Sequence, residues 1–243
     1  MNTPLVQIDI LSCYPIGGSQ KLNLSAKVAR CTPDAKAGIL AIDAELKTRG
    51  GKLVLSDLFR SYDMQLQSHN DYVNKKKKAY SPPPGGSLHE AGRAFDMDLS
   101  QIKVPLSDFW EIAAKHGFLP IIATPNPNMS ECWHFDCAGS HRLVFDYYKA
   151  GKGKNLGAYA AMASSAINAV GIKVDVFAGR AREAFIQAGA IRLGGDPGNI
   201  DGYIGKRTWG SLEPLGITPG AGVPAAVDAI SNLLKQKFPK EYA

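Results

Sequence analysis

Ser87-Leu88-His89-Glu90-Ala91-Gly92-Arg93-Ala94-Phe95-Asp96 runs into Met97-Asp98-Leu99, and Glu131-Cys132-Trp133-His134 follows further along the chain. The first stretch leads through small residues into a short strand expected over residues 95–99. His89 and Asp96 stand seven apart, and Gly92 and Ala94 between them permit close packing. Adding His134 gives two imidazoles and one carboxylate. That set suits zinc with a fourth position left for water, the ligand count of a catalytic rather than a structural site. Glu131 is then a spare carboxylate beside the metal, able to move a proton. Glu131 and His134 lie three apart, so on a straight strand they would point to opposite faces. Both reach one metal only if the backbone bends between them, at a bulge or strand end that Trp133 fixes by packing. Asp98 and Asp136 are candidates to accept the ring N–H of a ligating histidine, and each could equally be a plain surface carboxylate.

Working outward, Thr32-Pro33 reads as an N-cap and first helical position. Ile39, Ile42 and Leu46 recur at helical spacing until Gly50-Gly51. Residues 52–59 form a β-rich run that delivers Arg60 at its far end. Residues 63–86, with the run Lys75-Lys76-Lys77-Lys78 and the segment Ser81-Pro82-Pro83-Pro84-Gly85-Gly86, read as an irregular loop with solvated lysines. Ser107 is the expected cap of a helix whose face is Phe109, Ile112 and Ala113, ending at Gly117; residues 118–123 read as a strand. Helices and strands mixed without βαβ regularity imply an α+β fold.

Gly151-Lys152-Gly153-Lys154 reads as a linker, and alanine-rich helical segments follow it. Residues 1–150 and 151–243 are therefore expected to be separate domains, the second of them all-helical. Within the second, Val174-Asp175-Val176-Phe177-Ala178-Gly179-Arg180 is echoed by Ile200-Asp201-Gly202-Tyr203-Ile204-Gly205-Lys206, a degenerate internal repeat whose Asp and Gly suit a tight turn feeding a helix.

The chain has 243 residues, 45% hydrophobic and 21% charged, enough for one sizeable core and a second small domain. No apolar run approaches the roughly 20 residues that span a bilayer, which argues against membrane insertion. The N-terminus lacks a basic region, and Asp9 interrupts what would be the apolar core of a secretory signal, so export by this sequence is not expected. Cys13, Cys31, Cys132 and Cys137 show no paired spacing and read as free thiols, the last two as small buried hydrophobes beside the site. Residues 1–150 carry 17 basic and 15 acidic groups, net +2, and residues 151–243 carry 11 and 7, net +4. The more basic tail favours anionic surfaces. Nucleic acid is not expected as a partner, because the chain has no recognition-helix motif and no interleaved aromatic and basic stripe. His116 reads as a helix C-terminal residue favoured by the dipole, and His69 and His141 as surface residues.

Ser87-x-His89-x-x-Gly92-x-Ala94-x-Asp96 followed by Glu131-x-Trp133-His134 resembles the zinc D-Ala-D-Ala carboxypeptidases and dipeptidases, including vancomycin-resistance enzymes and phage endolysin peptidases. The resemblance covers roughly residues 30–148. It implies a small antiparallel-sheet zinc peptidase domain with flanking helices, His89, Asp96 and His134 as ligands to Zn2+, and Glu131 as catalytic acid/base. Leu58-Phe59-Arg60-Ser61-Tyr62 is similar to the family segment whose arginine holds the substrate carboxylate, and Ser87 to a substrate-binding residue. A planar guanidinium suits that task independently, since it binds carboxylates bidentately; a surface ion pair is the plainer role for Arg60. Asp201-Gly202-Tyr203-Ile204-Gly205-Lys206-Arg207-Thr208-Trp209, with Leu212, resembles helical peptidoglycan-binding domains, although Val176 replaces the expected glycine of the first copy and Glu213-Pro214 shortens the second helix. A helical appendage with Tyr203 and Trp209 in its core is the alternative.

The expectation is a monomeric zinc peptidoglycan hydrolase cutting stem or cross-link peptides at a D-amino acid. It acts as a phage endolysin that stays in the host cytoplasm until lysis and then reaches the periplasm and cell wall. A D,D-carboxypeptidase or dipeptidase removing terminal D-Ala is the rival, and a catalytically inactive wall-binding protein is the alternative of another class.

Overall fold

A computed structural model describes residues 3–15 and 21–243. The chain divides into two compact units, one of Leu5–Ser81 and Leu88–Ala138, the other of residues 3–4, Pro82–Ser87 and Gly139–Ala243. Residue 150 lies within the stretch Gly139–Ala243, the longest segment of the second unit.

The first unit is mixed α and β, with strands β1 (Val6–Gln7), β2 (Leu11–Pro15), β3 (Lys21–Asn23), β4 (Arg30–Cys31), β5 (Val54–Asp57), β6 (Ala94–Met97), β7 (Leu119–Pro120) and β8 (His134–Asp136). Its helices are α1 (Pro33–Thr48), α2 (Tyr62–Val73) and α3 (Leu106–Lys115). Strands β1 and β4 pair with each other, and the other six form a sheet ordered β3-β2-β5-β6-β8-β7. All pairs are antiparallel except β2–β5, which is parallel. The antiparallel expectation fails at that pair because β3, β4 and α1 lie between the two strands in sequence, a crossover long enough to bring the chain back in the same direction.

Strands β6 and β8 show how period-two alternation builds the site. Phe95 and Phe135, opposite one another, stack at 5.6 Å between ring centroids. Phe118 lies 4.9 Å from Phe95, and Phe109 of α3 lies 4.9 Å from Phe135. This face joins the core with Ile39, Ile42 and Leu46 of α1. Asp96, His134 and Asp136 alternate with those phenylalanines, which puts them on the other face.

Local details depart from expectation. Residues 63–86 are not all loop, since α2 occupies the first part. Ser61 caps it by accepting from the Met64 N–H at 3.3 Å, and Gln65 is its one fully buried side chain. A helix with so narrow a buried stripe leaves no apolar periodicity to find. Helix α3 begins one residue before Ser107, whose hydroxyl donates to Asp108 instead of capping. The strand expected at 118–123 shrinks to the two residues of β7.

Arg93, fully buried, ties three segments together. Its guanidinium grips Asp34 of α1 with two bonds of 2.8 and 2.6 Å, donates to Thr32 Oγ1 at 2.8 Å, and donates through Nε to the Cys137 carbonyl at 3.0 Å. A buried bidentate pair of this kind is costly to break, because removing one partner strands the other. Arg93→Ala should lower the free energy of unfolding by about 3–5 kcal/mol in urea titration, and Arg93→Lys should not restore it, because an ammonium lacks the fork geometry. An unchanged urea midpoint for Arg93→Ala would contradict this.

The second unit contains helices α4 (Arg142–Lys149), α5 (Ala158–Ala169), α6 (Ala181–Leu193), α7 (Lys206–Leu212), α8 (Gly222–Lys237) and α9 (Pro239–Tyr242). Its core gathers Phe185, Ile186 and Ala190 of α6 with Ala226, Ile230 and Leu234 of α8. His141, expected at the surface, is fully buried: Nδ1 lies 2.9 Å from Ser165 Oγ and Nε2 lies 3.2 Å from Glu241 Oε1. Glu241 also binds Arg192 and Ser140. No local pattern could announce His141, because its carboxylate partner is 100 residues away. No helix of the described residues is long and apolar enough to cross a membrane.

Candidate metal centre

His89 lies in a 3₁₀ turn, Leu88–Ala91, which closes on Gly92. Gly92 has φ +61°, and a Cβ there would lie 2.7 Å from Cys31 Cα and 2.8 Å from the Arg30 carbonyl. Only glycine fits. The turn feeds directly into β6, where Asp96 pairs across the sheet with His134 of β8. The bend demanded between Glu131 and His134 is present: Glu131 has φ +68°, and β8 begins only at His134. Trp133 packs against the core beside it.

Ligand atoms of His89, Asp96 and His134 all lie within 4.8 Å of one another. Their hydrogen bonds fix which lone pairs face inward. His89 Nδ1 sits 2.9 Å from the Leu58 carbonyl oxygen, which can only accept, so Nδ1 carries the proton and Nε2 is a bare lone pair. Among the described residues that buried Nε2 has no hydrogen-bond partner, and it lies 3.4 Å from Asp96 Oδ1. His134 Nε2 lies 2.9 Å from Asp136 Oδ1, so Nδ1 faces Asp96 Oδ1 at 2.8 Å. Two imidazole nitrogens and a carboxylate oxygen therefore converge, and a cation is what such a set holds. This cluster could bind a metal ion, and its donors fit one of the zinc type. Leu58 and Asp136 orient the two rings from behind. Asp98, the other candidate for that task, instead caps the next turn through Ser100.

Electrostatics agree. Burial disfavours the His134 imidazolium, but Asp136 and then Asp96 outweigh it and raise the pKa to about 10. Burial pushes the Asp96 carboxyl upward, and the two imidazoles outweigh it, holding it well below the usual carboxylate range.

Arg60 stands at the same place. Its Nε donates to Asp57 at 2.5 Å, one terminal nitrogen to Gln65 at 3.2 Å, and the other to Asp96 Oδ2 at 3.4 Å. Asp96 thus turns one oxygen to the imidazoles and the other to the guanidinium. Arg60, Asp96 and Trp133 line a 670 Å³ cavity whose far wall is α2, with Asp63, Gln67 and Asp71. Lys77 lines it as well and donates to Ser68, so the lysine run is not wholly solvated. The α2 wall was invisible in the sequence because α2 was.

Glu131 and Ser87 are the remaining expected site residues. The Glu131 carboxylate is outside the group of converging atoms and accepts from Ser130 Oγ at 3.4 Å. Ser87 is buried and belongs by its contacts to the second unit. Cys132 and Cys137 are buried, form no disulfide among the described residues, and neither joins the cluster.

No protein-family profile matches the chain, and no curated protein matches it. Solved structures do. The LdcB LD-carboxypeptidase, whose structure is described as revealing the molecular basis of peptidoglycan recognition, is 19% identical with a TM-score of 0.41, over 54% of this chain and 66% of that one. DacB from Streptococcus pneumoniae D39 is 25% identical with a TM-score of 0.37, over 54% of this chain and 83% of that one. A further structure of DacB, an L,D-carboxypeptidase of the pneumococcus, is 26% identical with a TM-score of 0.34, over 50% of this chain and 78% of that one. The chain spans just under two thirds of the first of these.

The sign of the pH dependence follows from His134. Its folded pKa is raised from 6.5 to about 10, so in chelator-treated protein its stabilising contribution is complete below pH 6.5 and is lost as pH rises through about 10. A metal must displace that proton, so apparent zinc affinity should rise steadily from pH 6 to pH 9, and calorimetry in buffers of different ionisation enthalpy should register proton release. Affinity that is flat across this range would contradict the assignment. Asp136→Asn should weaken metal binding about 10- to 100-fold in competition with a chromophoric chelator, without unfolding the protein.

Proposed function

We propose that the protein is a zinc peptidase acting on peptidoglycan, cleaving stem or cross-link peptides at a bond next to a D-amino acid. The observation that carries this reading is the convergence of His89 Nε2, Asp96 Oδ1 and His134 Nδ1 beside an arginine-bearing cavity. The sequence motifs that place those residues, and their resemblance to D-Ala-D-Ala peptidases, supply the substrate class.

A zinc ion held by the three side chains would supply Lewis-acid polarisation of the scissile carbonyl and acidify water. The protein's own residues do the rest. Asp136 and the Leu58 carbonyl take up the outer nitrogen of each ring, so that the inner nitrogens are the ones left to a metal once His134 gives up its proton. Glu131 takes a proton from the attacking water and returns it to the leaving amine, so no covalent intermediate is needed. Arg60 spends three of its N–H groups on Asp57, Gln65 and Asp96, which among the described residues leaves one on each terminal nitrogen to receive a substrate carboxylate. Ser87 assists in holding substrate, and the helical C-terminal unit holds the enzyme on its polymer, raising the local substrate concentration.

The position of Arg60 beside the cluster favours a second reading within the same chemistry: a carboxypeptidase or dipeptidase that recognises a free terminal carboxylate and removes one D-amino acid. Digestion of purified sacculi with mass spectrometry of the products separates the two. New internal amine termini support the endopeptidase, release of D-alanine alone supports the exopeptidase, and no products at all would refute both. Glu131→Ala should lower kcat by about 10²–10⁴-fold while zinc content stays at the wild-type level. Undiminished hydrolysis by that variant would refute the mechanism.

A further inference from the structure

Helix α2 sorts its exposed side chains onto two faces. Asp63, Gln67 and Asp71, at spacings of four, line the cavity beside the metal centre. Leu66 and Val73, seven apart and so aligned on another face, are 37% and 58% exposed. The chain then turns at Lys75, whose φ of +58° is the left-handed conformation that usually falls to glycine after a helix. Backbone groups close the helix end. The Lys75 N–H donates to the Tyr72 carbonyl at 3.0 Å, and the N–H groups of Lys76 and Lys77 donate to the Asp71 carbonyl at 2.8 and 3.2 Å. The lysine side chains are therefore not needed as caps.

Those side chains border a second concave surface. A 430 Å³ pocket is lined by Tyr72, Val73, Lys75, Lys77 and Lys78, with no carboxylate among the described residues that line it. Lys77 donates to Ser68 at 2.9 Å, and Lys76 lies 4.0 Å from Asp71. Lys75 and Lys78 are exposed and, among the described residues, form no ion pair. Tyr80, 62% exposed, meets Tyr72 edge-on with 5.2 Å between ring centroids. Cations and outward apolar groups thus adjoin one another at the end of α2.

A single exposed valine needs no explanation, and a lysine run alone is an ordinary solvated segment. Their juxtaposition selects a partner. An anionic bilayer presents phosphate at its surface and apolar atoms just beneath, so one contact serves both kinds of side chain. We propose that this face docks on a membrane containing anionic phospholipid, with headgroup phosphate in the lysine-lined pocket and Leu66, Val73 and Tyr80 settled among the headgroups. Nucleic acid or a soluble anionic polymer would meet the lysines but leave the aliphatic side chains in water. The docking is peripheral, since no helix of the described residues is long and apolar enough to cross a membrane. It does not depend on the chemistry at the metal centre.

The test is co-sedimentation of the full chain with vesicles of phosphatidylcholine alone or with about one third phosphatidylglycerol. Only the mixed vesicles should retain the protein, and salt should weaken retention. Lys75→Gln with Lys78→Gln should weaken it about 20-fold, each lysine near an anionic surface contributing about fivefold. Val73→Ser should weaken it about 3- to 5-fold through the lost apolar contact. Both variants should take up zinc and unfold in urea as the wild type does. Phosphate and chloride at equal ionic strength should release the protein equally. Equal retention on neutral vesicles, undiminished retention of the lysine or the valine variant, or preferential release by free phosphate would each overturn the proposal.

Discussion

The constraint on which the first unit depends is that three lone pairs point at one buried place. His89 Nε2, Asp96 Oδ1 and His134 Nδ1 converge on one another, and the outer nitrogen of each imidazole is committed to an acceptor behind it. A proton relieves this electrostatic demand in part, as the raised pKa of His134 records. A divalent cation answers it fully, because it meets all three donors at once.

The surrounding fold serves that convergence. Strands β6 and β8 place aromatic rings on one face and the acids and His134 on the other, so the same alternation that closes the core builds the site. Gly92 lets the 3₁₀ turn press against β4, and Arg93 fastens the turn's exit to α1 and to the end of β8. The left-handed backbone at Glu131 ends the loop where β8 must begin. Each is a local cost borne so that His89 meets a pair of residues set by the sheet.

Legibility in the sequence followed the range of the interactions. The histidines, Asp96 and the need for a bend before His134 could be read from spacing, because two short segments contain them all. Asp136 could be named as one of two acceptors but not chosen, since i,i+2 partnership with His134 requires knowing that both lie in one strand. Helix α2 escaped notice because it buries one glutamine and offers no apolar stripe, and the cavity wall it forms escaped with it. His141 looked idle because Glu241 answers it from the far end of the chain. The repeat at Tyr203 was legible as a repeat, but that Phe177 of one copy is buried and Tyr203 of the other exposed emerges only from packing.

The account stands on the identity of three donor atoms, and X-ray absorption at the zinc edge of the metal-loaded full chain examines them directly. It predicts a first shell of nitrogen and oxygen at about 2.0–2.2 Å, with two imidazoles in the outer scattering and no sulfur. A zinc–sulfur distance near 2.3 Å, pointing to Cys132 or Cys137, or a failure to take up zinc at all, would contradict it.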